Sequence, residues 1–150
     1  MTRTLATVLL LLAGCGGATL DVPDDFVVLE DDWADYDQRA TTADGVVLSV
    51  RRVDNVGDGG LDFWARAVAN RMRLYGGYAL LEEPEVRLRS GARGRQLRFG
   101  RDEEGTPFLY WVTLFVDGGS VYVIEAGGRT DRFDAARPAI ERAIARFTPP

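Results

Sequence analysis

The chain reads as an α+β domain: an antiparallel sheet of about seven strands with cover on both faces, in the order three strands, a helix, four strands, a helix. Three observations predict it. Short alternating segments recur between Gly- and Asp-rich turn signals. Leu61 to Tyr75 carries apolar residues at helical spacing. Pro107 to Val116 is apolar on both sides, with Phe108, Tyr110, Val112 and Leu114 alternating with Leu109, Trp111, Phe115 and the lone polar Thr113. A strand buried on both faces needs a layer against each, so this segment belongs near the centre of a covered sheet.

Val22-Pro23-Asp24-Asp25-Phe26 opens the domain, and Phe26 to Glu30 predicts the first strand. Ala34 to Thr41 predicts a weaker one. Gly45 to Val53 is clearer, because Val46, Leu48 and Val50 alternate with Val47, Ser49 and Arg51. After the turn-rich 54–60 comes the helix, with Leu61, Trp64, Ala65, Val68, Met72 and Tyr75 on one face. Asp62 near its start and Arg71 and Arg73 near its end suit the helix dipole, and Gly76 or Gly77 suits its end. Four strands are expected over Ala79–Arg89, Arg93–Arg101, Pro107–Val116 and Ser120–Ala126. The last apolar series is Phe133, Ala136, Ile140, Ile144 and Phe147. Proline costs about 3 kcal/mol inside a helix, so the expectation is a turn from Asp131 and then a helix beginning near Pro138.

Composition narrows the chemistry. There is no His and no Lys, and Cys15 is the single cysteine, so no disulfide can form within the chain. Catalytic triads, histidine or cysteine metal sites and Schiff-base lysines have no residues to build them. The net charge of −5 argues against nonspecific nucleic-acid binding.

Arg3, the apolar run Leu5 to Leu12 and the small residues Ala13 and Gly14 precede Cys15. The run is shorter than the ~20 residues a membrane-spanning helix needs. Leu12-Ala13-Gly14-Cys15 resembles the lipobox of bacterial lipoproteins, which implies cleavage before Cys15 and a diacylglycerol on its thiol. The organisation expected is a signal peptide over residues 1–14, a lipidated cysteine with a short tether over 15–22, and a globular domain over 23–150. A tether from Gly16 to Val22 reaches roughly 25 Å at ~3.5 Å per residue, so the domain is expected to stay close to its membrane. Gly16 after the anchor, in place of Asp, is compatible with onward export to an outer membrane. The expected partners are the membrane, through lipid on Cys15, and an envelope protein; neither nucleic acid nor a cofactor is expected.

The opening Val22-Pro23-Asp24-Asp25-Phe26, the hairpin Tyr110 to Ile124 with Gly118-Gly119 at its tip, and the closing Ala145-Arg146-Phe147 resemble the PsbP-like superfamily. That superfamily includes PsbP, a Mog-type Ran-binding protein and DcrB-like bacterial lipoproteins. The resemblance covers roughly Val22 to Phe147 and implies a three-layer α/β/α sandwich around an antiparallel sheet. It carries no shared catalytic motif and implies binding or assembly in place of catalysis.

Four features are candidates for function. Arg87, Arg89, Arg93 and Arg95 form a basic stretch suited to an anionic membrane surface, unless cross-strand glutamates (Glu82, Glu83, Glu85, Glu103) neutralise it. Asp54-Asn55-Val56-Gly57-Asp58-Gly59 is similar to the start of a calcium loop, but Val56 and Ala65 stand where ligands are required, which favours a solvated turn. The acidic groups Glu30-Asp31-Asp32 with Asp35 and Asp37, and Asp102-Glu103-Glu104, are paired carboxylates or hairpin tips. Trp64, Tyr75, Tyr78, Phe108, Tyr110, Trp111 and Tyr122 are core or the walls of a ligand pocket between sheet and helix. A cavity with converging arginines favours a small-ligand or ion carrier; an exposed aromatic patch favours protein docking.

Overall fold

The structure, a computed structural model, describes residues 17–30 and 35–150. Cys15, Asp31, Asp32 and Ala34 lie outside the described residues. The antiparallel sheet has eight strands: β1 (Val27–Val28), β2 (Gln38–Thr41), β3 (Val47–Asp54), β4 (Ala79–Glu82), β5 (Glu85–Arg87), β6 (Arg93–Glu103), β7 (Thr106–Asp117) and β8 (Ser120–Arg129). Their spatial order is β1-β2-β3-β8-β7-β6-β4, with β5 also paired to β6. Helix α1 (Leu61–Tyr75) follows β3, and helix α2 (Thr130–Arg146) follows β8.

The two helices cover opposite faces. On the α2 face, Phe133, Ile140 and Ile144 pack with Leu48, Val50, Trp111, Phe115, Tyr122 and Ile124. On the other, Ala65 and Ala69 of α1 pack with Leu97, Phe99, Val112, Leu114 and Val123. Strand β7 lies between β6 and β8 and supplies both cores: Trp111 and Phe115 point to α2, Val112 and Leu114 to α1. Its apolar character on both sides thus has the expected cause. Phe133 meets Trp111 edge to face with ring centroids 4.9 Å apart, and Arg98 stacks over the same indole at 4.3 Å.

Helix α1 spans the expected residues. The preceding loop is fastened to it by Asn55, which is buried. Its Nδ2 donates to the carbonyls of Gly59 at 3.1 Å and Gly118 at 3.3 Å, while its Oδ1 accepts from Trp64 Nε1 at 2.8 Å. The loop considered for calcium is a turn held by an amide, with Asp54 and Asp58 exposed.

Two expectations need correction. The segment Ala79–Arg89 is two strands, not one: the register shifts between Leu80 and Glu82, and Pro84, which has no N–H to give a ladder, separates β4 from β5. Helix α2 begins at Thr130 and runs through Pro138 instead of starting there. Full burial of Phe133 fixes the turns before the proline, and Pro138 lies on the exposed side, where a helix accommodates the local distortion by bending.

Candidate functional site

Helix α1 lies over β4, β6 and β7, which leaves part of its face of the sheet without a helix. The residues explain why. Val47, Ser49 and Arg51 of β3 and Glu125 and Gly127 of β8 point to that side, opposite the buried Leu48, Val50, Ile124 and Ala126. They offer no apolar stripe for a helix to bury. The uncovered area holds a concavity of about 340 Å³ lined by Tyr36, Arg39, Ser49, Tyr78, Tyr110 and Glu125 among others, at the lower end of ligand-site volumes.

Glu125 is its organising group. It is only 9% exposed, and a buried carboxylate is tolerated only with partners. Tyr110 donates its O–H to Glu125 Oε1 at 2.6 Å. Oε2 stands 3.5 Å from Arg51 Nε, longer than a well-formed hydrogen bond. Both of those atoms are buried without a hydrogen-bond partner among the described residues. The guanidinium groups of Arg39 and Arg51 flank the Tyr36 ring at 5.5 and 5.4 Å. Burial first, and then the neighbouring Glu125 carboxylate, holds the phenols of Tyr36 and Tyr110 above their ordinary value. Both phenols are therefore neutral donors at physiological pH. Gly127 shapes the wall, since a Cβ there would lie 2.7 Å from Tyr110 Cδ2. Chemically, the lining combines aromatic faces with the carboxylates of Glu125 and Glu103 and the guanidinium of Arg39.

The residues singled out in the sequence are divided among different places. Tyr78, Phe108 and Tyr110 line the concavity. Trp111 and Tyr122 are core on the α2 side, Trp64 binds Asn55, and Tyr75 is exposed. Arg87 and Arg93 both pair with Glu85, and Arg95 pairs with Asp62 and Glu83. The hydrogen bond from Arg93, and then the charges of Arg93, Arg87 and Arg95, hold the Glu85 carboxyl below its usual value. Arg89 has no ion-pair partner among the described residues. Asp102 Oδ1 accepts from the Gly105 N–H at 2.8 Å and closes the β6–β7 turn. Among the described residues no group of three His, Cys, Asp or Glu side chains is placed to hold a metal.

Tyr36, Arg39, Ser49 and Glu125 of the lining, and the adjoining Arg51, are the members the sequence reading missed as a site. Glu125 has a signal: it is the one charged residue in the run Val121 to Ala126. A carboxylate there demands partners, but the sequence does not say which.

No protein-family model and no curated protein sequence matches the chain. Solved structures do. LpqN, involved in cell envelope biogenesis of Mycobacterium tuberculosis, superposes with a TM-score of 0.61 at 16% identity, covering 91% of this chain and 88% of that one. The cyanobacterial PsbP, CyanoP, of Synechocystis sp. PCC 6803 gives 0.60 at 14% identity, covering 96% and 98%. The fold is PsbP-like. A Pseudomonas aeruginosa protein of unknown function, PA94, shares this PsbP-like architecture, with a TM-score of 0.57 at 16% identity over 89% of this chain and 84% of that one. No helix among the described residues is long and apolar enough to cross a membrane.

Proposed function

We propose that the chain is a lipid-anchored cell-envelope lipoprotein, attached through Cys15, whose domain is a non-enzymatic binding module taking a small ligand in the concavity of the uncovered sheet face. The observation that carries this reading is the cluster of Glu125 with Tyr36, Tyr110 and Arg51 beside a space of about 340 Å³. Glu125 is buried and held by the hydrogen bond from Tyr110, which suits a fixed site for recognition better than proton transfer. The ligand that fits is a small, partly planar molecule that packs on the Tyr36, Tyr78 and Tyr110 rings. The lipobox-like Leu12-Ala13-Gly14-Cys15 supports the anchor, and the fold shared with an envelope-biogenesis protein accords with that location.

A second reading, docking of an envelope protein, is favoured by the outer side of α1. Phe63 and Leu74 are exposed there, and Arg66, Arg71 and Arg73 have no ion-pair partner among the described residues. Native mass spectrometry of protein extracted gently from membranes separates the two. The ligand reading predicts a small noncovalent mass that is released on denaturation and absent from Gly127→Val, whose side chain would displace Tyr110. A ligand-free domain that co-purifies with a second protein, lost in Phe63→Ser/Leu74→Ser, would decide for docking.

A further inference from the structure

The residues just after Cys15 read as a tether, yet they are seated in the domain. Ala18 is fully buried and Leu20 is 7% exposed, both in the core on the α2 face with Phe26, Ala40 and Leu48. The Leu20 N–H donates to Gln38 Oε1 at 2.7 Å, and Val22 packs on the same core. Asp21 accepts from Arg146 of α2 at 2.8 Å. At the start of the segment, a Cβ on Gly17 would lie 2.8 Å from Asp37 Oδ1. Asp37 is itself fixed, since its Oδ2 accepts from the Arg52 N–H at 2.7 Å. Core burial, a backbone hydrogen bond and an ion pair within six residues leave the segment no slack.

We propose that the anchor holds the domain in one orientation, with the corner of the sheet around Asp37 and Arg52 against the phospholipid surface and α1 on the far side. This rests on lipidation of Cys15, the reading given above. Only Gly16 separates Cys15 from Gly17, and two residues span at most ~7 Å, against roughly 25 Å for a free seven-residue tether. The seated segment packs on the α2 face, near β2 and β3, while α1 covers β4, β6 and β7 on the opposite face. Strands are ~4.8 Å apart and packed layers ~10 Å, so the outer side of α1 lies beyond the reach of such a short connection. Two consequences follow for the sites. Tyr36, a wall of the concavity, adjoins Asp37 and so lies at the membrane-proximal side, whereas Leu74, at the C-terminal end of α1, is turned to the aqueous space.

Because lipid occupies the single native thiol, an introduced cysteine accepts a fluorophore alone. Thr19→Cys and Leu74→Cys variants of the full chain, purified from the cells that make it and labelled at these exposed positions, are mixed into phosphatidylethanolamine/phosphatidylglycerol vesicles containing a headgroup-nitroxide lipid. The expected result is strong quenching at position 19 and none at position 74, with the contrast lost when a flexible Gly/Ser insertion follows Gly16. Equal quenching in protein that floats with the vesicles overturns the orientation alone. Protein that does not float overturns the anchor and the orientation together. A label at position 19 with the mobility of an unstructured peptide overturns the seating of the segment.

Discussion

Phe133→Ala lowers the stability of the domain by about 3–5 kcal/mol, the usual cost of emptying a buried phenylalanine site. Phe133 is fully buried and closes edge to face on Trp111. It sits in the part of α2 that precedes Pro138, so the substitution also tests whether the helix begins at Thr130. Against a total of about 5–15 kcal/mol for an ordinary domain, the midpoint of thermal unfolding should fall by roughly 10 °C. Urea denaturation followed by circular dichroism measures the change. A loss below about 1 kcal/mol, the scale of a surface substitution, would mean that the segment before Pro138 is not packed on the sheet.

Gly94→Val is the second large effect, and it acts by excess volume. Gly94 lies on β6 beneath Phe115, where an added Cβ would overlap the ring and stand 2.8 Å from the carbonyl oxygen of Leu114. The ring has little room to yield, because Phe147 packs beside it at 6.0 Å between centroids. Overpacking of this kind costs about 1–3 kcal/mol, and the backbone oxygen places the expected loss at the upper end. Combining Gly94→Ala with Phe115→Leu should recover part of the loss, a coupling that a double-mutant cycle in urea measures. Strict additivity would show that Phe115 does not lie over Gly94.

Both substitutions probe parts of the fold that differ in how far the sequence revealed them. Helix α1 was legible to its ends because its apolar residues keep one period and no proline interrupts them. The central place of β7 was legible because Trp111 and Phe115 alternate with Val112 and Leu114, and only a strand between two layers has use for both. Pro138 misled because its local cost is visible in the sequence, whereas the burial of Phe133 that offsets it depends on the packed sheet. The break at Pro84 is of the opposite kind, a local signal that the apolar residues on either side concealed. The tether was obscure for another reason: Ala18, Leu20 and Val22 alternate with Thr19 and Asp21, but over five residues and directly after a lipobox-like segment that alternation reads as a linker.

The candidate site was less legible than the fold. The alternation of β3 set Ser49 and Arg51 apart from Leu48 and Val50, but not that α1 would leave their face uncovered. Tyr36, Arg51, Tyr110 and Glu125 come from separated parts of the chain, and only the pairing of β3, β8 and β7 gathers them. The basic stretch was visible as charge, but its pairing with Glu83, Glu85 and Asp62 depends on strand register and on the position of α1.

The central proposal is that the domain is fixed to a membrane through Cys15. Mass spectrometry under denaturing conditions, on protein purified from the membranes of the cells that make it, tests this most directly. The predicted spectrum is that of a chain beginning at Cys15 and carrying a diacylglyceryl group there. A chain that retains residues 1–14, or one with an unmodified Cys15, would contradict it.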